Sequence, residues 1–188
     1  DLPFMAWLLA NKEDAVILKE VEGASDRAAA IVASSYVEDR LSETLRLALD
    51  PHEDIANRML KGYGPLATFS AKIDLAFLMG LIDADMRRDM LIIKDIRNEF
   101  AHRAHARTFE SQRIRDLCKN LRARHSNEQF WLSVDDFKTL SWKSPDKVVP
   151  SLNRGIQKGS HTPKGSYLAA VQHCLAALFL IGHVAQLA

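Results

Sequence analysis

The residues most able to do chemistry are gathered in the stretch IRNEFAH, residues 96–102, which holds a guanidinium at Arg97, a carboxamide at Asn98 and an imidazole at His102. An arginine and a histidine, without any metal, are the minimum needed to cleave RNA. The imidazole takes the 2′-hydroxyl proton or protonates the leaving oxygen, and the guanidinium stabilises charge on the phosphorane. Asn98 would position either group. Advancing about 100° per residue along a helix places Arg97 inside the stripe formed by Met86, Met90, Ile93 and Phe100. A guanidinium there must be paired or must face a site. Five residues turn Arg97 and His102 about 140° apart on an ideal helix, so they meet only if the helix ends near Ala101 or a second copy supplies one of them. The ribonuclease reading therefore requires a symmetric dimer or a helix end at that point.

The same residues support a structural reading. Arg97 would pair with an acid from the helix at 25–49, for example Glu38 or Asp39, and His102 would cap its helix, where the dipole favours a cation. Other chemistry is hard to place. The sequence has no glycine-rich phosphate loop, no HExxH, no paired CxxC and no nucleophile elbow, so no cofactor is expected. His102 and His105 have a spacing that suits a metal on a helix but lack a third ligand, and His173 and His183 point about 80° apart, so no metal is expected either. The segment RAHARTFESQRIRDLCKNLRARH, residues 103–125, carries seven Lys/Arg and two acids. Its cations, Arg103, Arg107, Arg113, Arg115, Lys119, Arg122 and Arg124, are the candidates for contact with nucleic-acid phosphate. No helix-turn-helix is convincing, because GLID at 80–83 joins two helices whose apolar faces the core needs.

Helices must position these groups. Asn11 caps a helix over 11–22, and Ser25-Asp26 opens a long one whose Ala28, Val32, Val37, Leu41, Leu45 and Leu49 form an apolar face, stopped by Asp50-Pro51. A short polar helix over 51–61 ends at Gly62. From Pro65, PLATFSAKIDLAFLMGLI is apolar nearly all round and should be the central, most buried helix. Asp83 or Asp85 starts the helix that contains IRNEFAH, and residues 110–124 form a basic amphipathic helix. QFWLSV at 129–134 is the one plausible strand, and 126–164 otherwise reads as a long basic loop. Helix resumes at Ser166. The result is an all-α bundle with core helices 25–49, 66–82, 85–101 and 166–188, folded as one domain over 1–188.

The 188 residues are 47% hydrophobic and 26% charged, which suits a globular chain. A net charge of +1 conceals an asymmetry: residues 1–99 hold 12 Lys/Arg against 18 Asp/Glu, and residues 100–188 hold 13 against 6. A strongly basic protein is excluded; a basic face is not. Two cysteines, Cys118 and Cys174, are too few for a disulfide framework, and reduced thiols are expected. DLPFMAWLLANKED lacks the basic start of a secretory signal. The long apolar stretch at 166–188 is interrupted by Gln172, His173, His183 and Gln186, so a buried bundle helix is expected, with no membrane and a cytoplasmic location.

Three segments resemble the mannitol operon repressor family: SDRAAAIVASSYVEDRLSETL at 25–45, GPLATFSAKIDLAFLMGLID at 64–83 and IRNEFAH at 96–102. The resemblance implies an all-helical cytoplasmic regulator of sugar-alcohol uptake that acts through a protein partner. In that reading the protein is a non-enzymatic homodimer, with Asp26, Arg27, Lys72 and Asp74 as ion-pair partners near Arg97, Asn98 and His102. The last of these segments also resembles the HEPN superfamily, whose Arg-x4–6-His motif forms a metal-independent ribonuclease site in many members, and Arg97, Asn98 and His102 match that motif. Three functions follow: a regulator working by protein contacts, an HEPN-type endoribonuclease guided by 103–125, and a direct DNA-binding repressor.

Overall fold

Helix starts in this chain are set by short polar side chains that accept from the free N–H groups of the first turn. The computed structural model describes residues 17, 20–49, 52–102, 108–122 and 162–187, and among these every regular element is α-helix. Helix α1 (Asp26–Ala48) opens behind Ser25, whose hydroxyl accepts from the Ala28 N–H at 3.3 Å. Helix α2 (Glu53–Leu60) follows, and α3 (Phe69–Leu78) opens behind Thr68, which accepts from the Ala71 N–H at 3.2 Å. Helix α4 (Ala84–Ala101) opens behind Asp83, which accepts from the Met86 N–H at 2.8 Å. Helix α5 (Gln112–Lys119) is short, and α6 (Pro163–Leu187) closes the bundle. The described residues thus form the all-α bundle expected from the sequence.

The bounds of three helices and one burial expectation need correction. α3 begins at Phe69 and not at 65 or 66, because Leu66 N–H donates to the Met59 carbonyl at 2.9 Å and ties the Pro65 segment back to α2. It ends at Leu78, where Gly80 adopts a φ of 72° that halts the helix. Nor is it the most buried helix, since Phe77 and Leu78 are 39% and 81% exposed. The basic helix is shorter than 110–124. α6 starts three residues before Ser166, as Thr162 accepts from the Gly165 N–H at 3.1 Å and Pro163 takes the first helical position, where its missing N–H matters least. Most of the 11–22 helix, the QFWLSV strand and nearly all of the 126–164 loop lie outside the described residues.

The core is built on the packing of α6 along α1, with α4 and α3 completing it. Ala29, Ala30 and Ala33 on α1 are fully buried, as are Tyr167, Ala170, Val171 and Cys174 on α6; the small alanines on both helices let them approach closely. A buried hydrogen bond fixes their register, Tyr167 O–H donating to the Ala30 carbonyl at 2.8 Å; the Thr44 hydroxyl, 2.9 Å from the Arg40 carbonyl of its own helix, also lies 3.3 Å from the Leu178 carbonyl on α6. Phe109 stacks between Phe100 and Tyr167, with ring centroids 5.1 and 5.2 Å apart, so the approach to α5 is held against both α4 and α6. The stretch Pro163–Gly182 is long and apolar enough to cross a membrane, yet most of its apolar residues are buried within the bundle.

Candidate functional site at the crossing of α1, α3 and α4

Glu38 lies one residue past the buried Val37, at the edge of the apolar face of α1. Lys72 lies beside the buried Ile73 on α3, and Arg97 beside Ile96 on α4. Packing the three apolar faces together brings these three edges to one point. There the Glu38 carboxylate accepts from Lys72 Nζ at Oε1 (3.0 Å) and from Arg97 Nη1 at Oε2 (2.9 Å). The side chains of Glu38, Lys72 and Arg97 are 18%, 9% and 27% exposed, and the Arg97 guanidinium also lies 5.9 Å from the centre of the Phe69 ring. Two largely buried cations share one carboxylate, so each depends on Glu38 to offset its lost hydration. Lys94, one turn before Arg97, donates to Ser70 Oγ at 3.2 Å and adds a second polar link between α3 and α4.

His102 sits elsewhere. It is the exposed C-cap of α4, with φ −92° and ψ −2°, and its N–H donates to the Asn98 carbonyl at 3.0 Å. Among the described residues no hydrogen bond or ion pair joins it to Arg97. The other candidate ion-pair residues are placed as follows. Arg27 Nη2 donates to the Ala101 carbonyl at 3.3 Å, at the end of α4. Asp26 accepts from the Phe109 N–H at 3.0 Å and lies 3.7 Å from Lys164 Nζ, which also donates to the Ala24 carbonyl at 2.8 Å. Asp74 accepts from Arg87 Nη2 and Nε at 2.6 and 2.9 Å.

Among the described residues of the basic segment, 108–122, the cations are engaged with neighbouring side chains. Arg113 pairs with Glu99 at 2.5 Å, Lys119 with Asp116 at 3.4 Å and Arg122 with Asp85 at 3.6 Å, while Arg115 donates to the Gln112 side-chain carbonyl. Arg103, Arg107 and Arg124 lie outside the described residues, as does His105. Sequence reasoning missed Asp89, only 2% exposed, which accepts from the Arg122 N–H at 2.8 Å and pins the chain leaving α5. At 100° per residue Asp89 falls on the same stripe of α4 as Met86, Ile93 and Phe100, and that position was the available signal. It also missed Lys164, whose long side chain ties the start of α6 to the start of α1. Cys118 and Cys174 are both buried and form no disulfide among the described residues, and burial pushes the Cys174 thiol well above its ordinary value. Burial lowers the His173 imidazole, with Asp83 acting weakly against it. No group of three metal-binding side chains occurs among the described residues.

This arrangement of helices is shared with a solved structure. A chain in the X-ray structure of the MtlR–HPr complex from Escherichia coli has the same fold. The match has a TM-score of 0.52 at 16% identity and covers 91% of this chain and 96% of that one. Neither a known family nor a curated protein matches the sequence. At this identity the likeness speaks for the fold, over nearly the full length of both chains.

Proposed function

We propose that this protein is a non-enzymatic transcriptional regulator of the mannitol operon repressor type, a cytoplasmic homodimer that acts through protein contacts. The observation that carries the reading is the shared fold with a chain of the MtlR–HPr complex. HPr is accordingly the partner proposed for this chain. The state of Arg97 supports the same reading, because a guanidinium that shares Glu38 with Lys72 organises the bundle. Co-purification with HPr and a transcript measurement test it. Deleting the gene should change transcription of a sugar-alcohol uptake operon, and unchanged transcript with no HPr recovered would overturn the proposal.

A ribonuclease reading is favoured by one observation. α4 ends at Ala101, so His102 is released from the helix at the point where the Arg-x4-His spacing requires it. Cleavage of RNA in EDTA, abolished by His102→Ala in a variant that melts normally, is the expected result of that reading; no cleavage by the wild type removes it. Direct DNA binding has less support, since Arg113, Lys119 and Arg122 are each paired with a carboxylate.

A further inference from the structure

The last turn of α3 leaves two adjacent apolar side chains, Phe77 and Leu78, open to solvent, while Leu75, Met79 and Leu81 beside them pack partly against the core. A single exposed apolar residue is ordinary, but two together beside partly buried ones make a patch. The patch is held in shape from α4. The Arg87 guanidinium lies 5.4 Å from the centre of the Phe77 ring and donates twice to Asp74, which stands one turn before Phe77 and Leu78 on the same face of α3. Both members of that ion pair remain accessible, with side chains 38% and 50% exposed. A ring already fixed in this way loses little further freedom when the surface is covered.

We propose that the Phe77–Leu78 face is the surface through which two copies of this chain pair about a two-fold axis. The rim of the patch selects the occupant, because it presents one carboxylate, Asp74, and one guanidinium, Arg87. A partner surface of a single sign would set one of the two against a like charge. A second copy whose α3 crosses antiparallel sets each Asp74 towards the other copy's Arg87, with the apolar side chains of both copies meeting at the axis. The inference rests on the homodimer reading above and adds the place of the interface. Arg87 and His102 are about 22 Å apart along α4, so a dimer joined at the start of α4 holds the second copy's His102 away from Arg97. No composite Arg97–His102 site forms in such a dimer.

The test is sedimentation equilibrium of the full chain over a concentration series, with melting temperature recorded on the same samples. Wild type should sediment as a dimer. Leu78→Lys should raise the dissociation constant about thirtyfold, the loss expected for a central apolar anchor. Its monomer should melt as the wild-type monomer does, because Leu78 is 81% exposed and a cation suits a helix C-terminus. Tyr63→Lys, at a fully exposed aromatic in the turn after α2, should leave the dimer unchanged. Asp74→Arg and Arg87→Asp should each be monomeric alone and pair one to one when mixed. A dimeric wild type that Leu78→Lys leaves intact overturns the proposal while the homodimer reading stands. A monomeric wild type ends both, and if Leu78→Lys then abolishes HPr binding the face belongs to that partner instead. Failure of the mixed charge variants to pair would also contradict the two-fold arrangement.

Discussion

Glu38 is the residue on which the centre of the bundle depends. Glu38→Ala leaves Lys72 and Arg97 without their shared carboxylate, and urea denaturation should show a loss of about 2 kcal/mol. Arg97→Ala should cost less, because Lys72 keeps its partner. His173 predicts a pH effect of definite sign. Burial depresses its folded value below the ordinary 6.5, so above that pH neither state is protonated and the residue contributes nothing. Below it the unfolded chain binds a proton that the folded chain resists, and stability falls with pH until the folded value is reached. Melting temperature should therefore drop between pH 7.5 and pH 5, and His173→Phe should flatten that part of the curve. Sequence periodicity made Arg97 legible as a charge on an apolar stripe. Its partner was legible only as a choice between Glu38 and Asp39: neighbouring helical residues point about 100° apart, and only the packing of α1 on α3 and α4 selects one.

At the scale of elements, polar caps were readable wherever they are local. Ser25 and Asp83 mark the starts of α1 and α4 because each bonds a backbone N–H three residues on. The start of α3 was not readable from Pro65, since it depends on the return of the chain onto α2. A Cβ at Gly64 would run into the carbonyl oxygens of Arg58 and Met59, so Gly64→Ala should disrupt that return and lower the melting temperature by several degrees. Gly23→Ala meets nothing and should leave it unchanged. Tyr167→Phe keeps the ring against Phe109 but leaves the Ala30 carbonyl without its buried donor; chemical denaturation should show a loss of about 1 kcal/mol.

At the scale of the whole molecule, the fold class was legible because long apolar periods and scarce alternation leave little besides a helical bundle. Which long helix is most buried was not, because burial is decided by which faces meet: the close contact of α1 with α6 leaves the C-terminal end of α3 at the surface. We propose that the chain folds as one domain, which predicts coincident unfolding transitions by circular dichroism and tyrosine/tryptophan fluorescence. The proposed partner is likewise a property of the whole fold and of no short motif. The measurement that tests the account most directly is isothermal titration calorimetry of the full chain with HPr in the presence of EDTA. The account predicts a saturable isotherm that His102→Ala leaves intact. Absence of binding, together with EDTA-resistant RNA cleavage that His102→Ala abolishes, would contradict it.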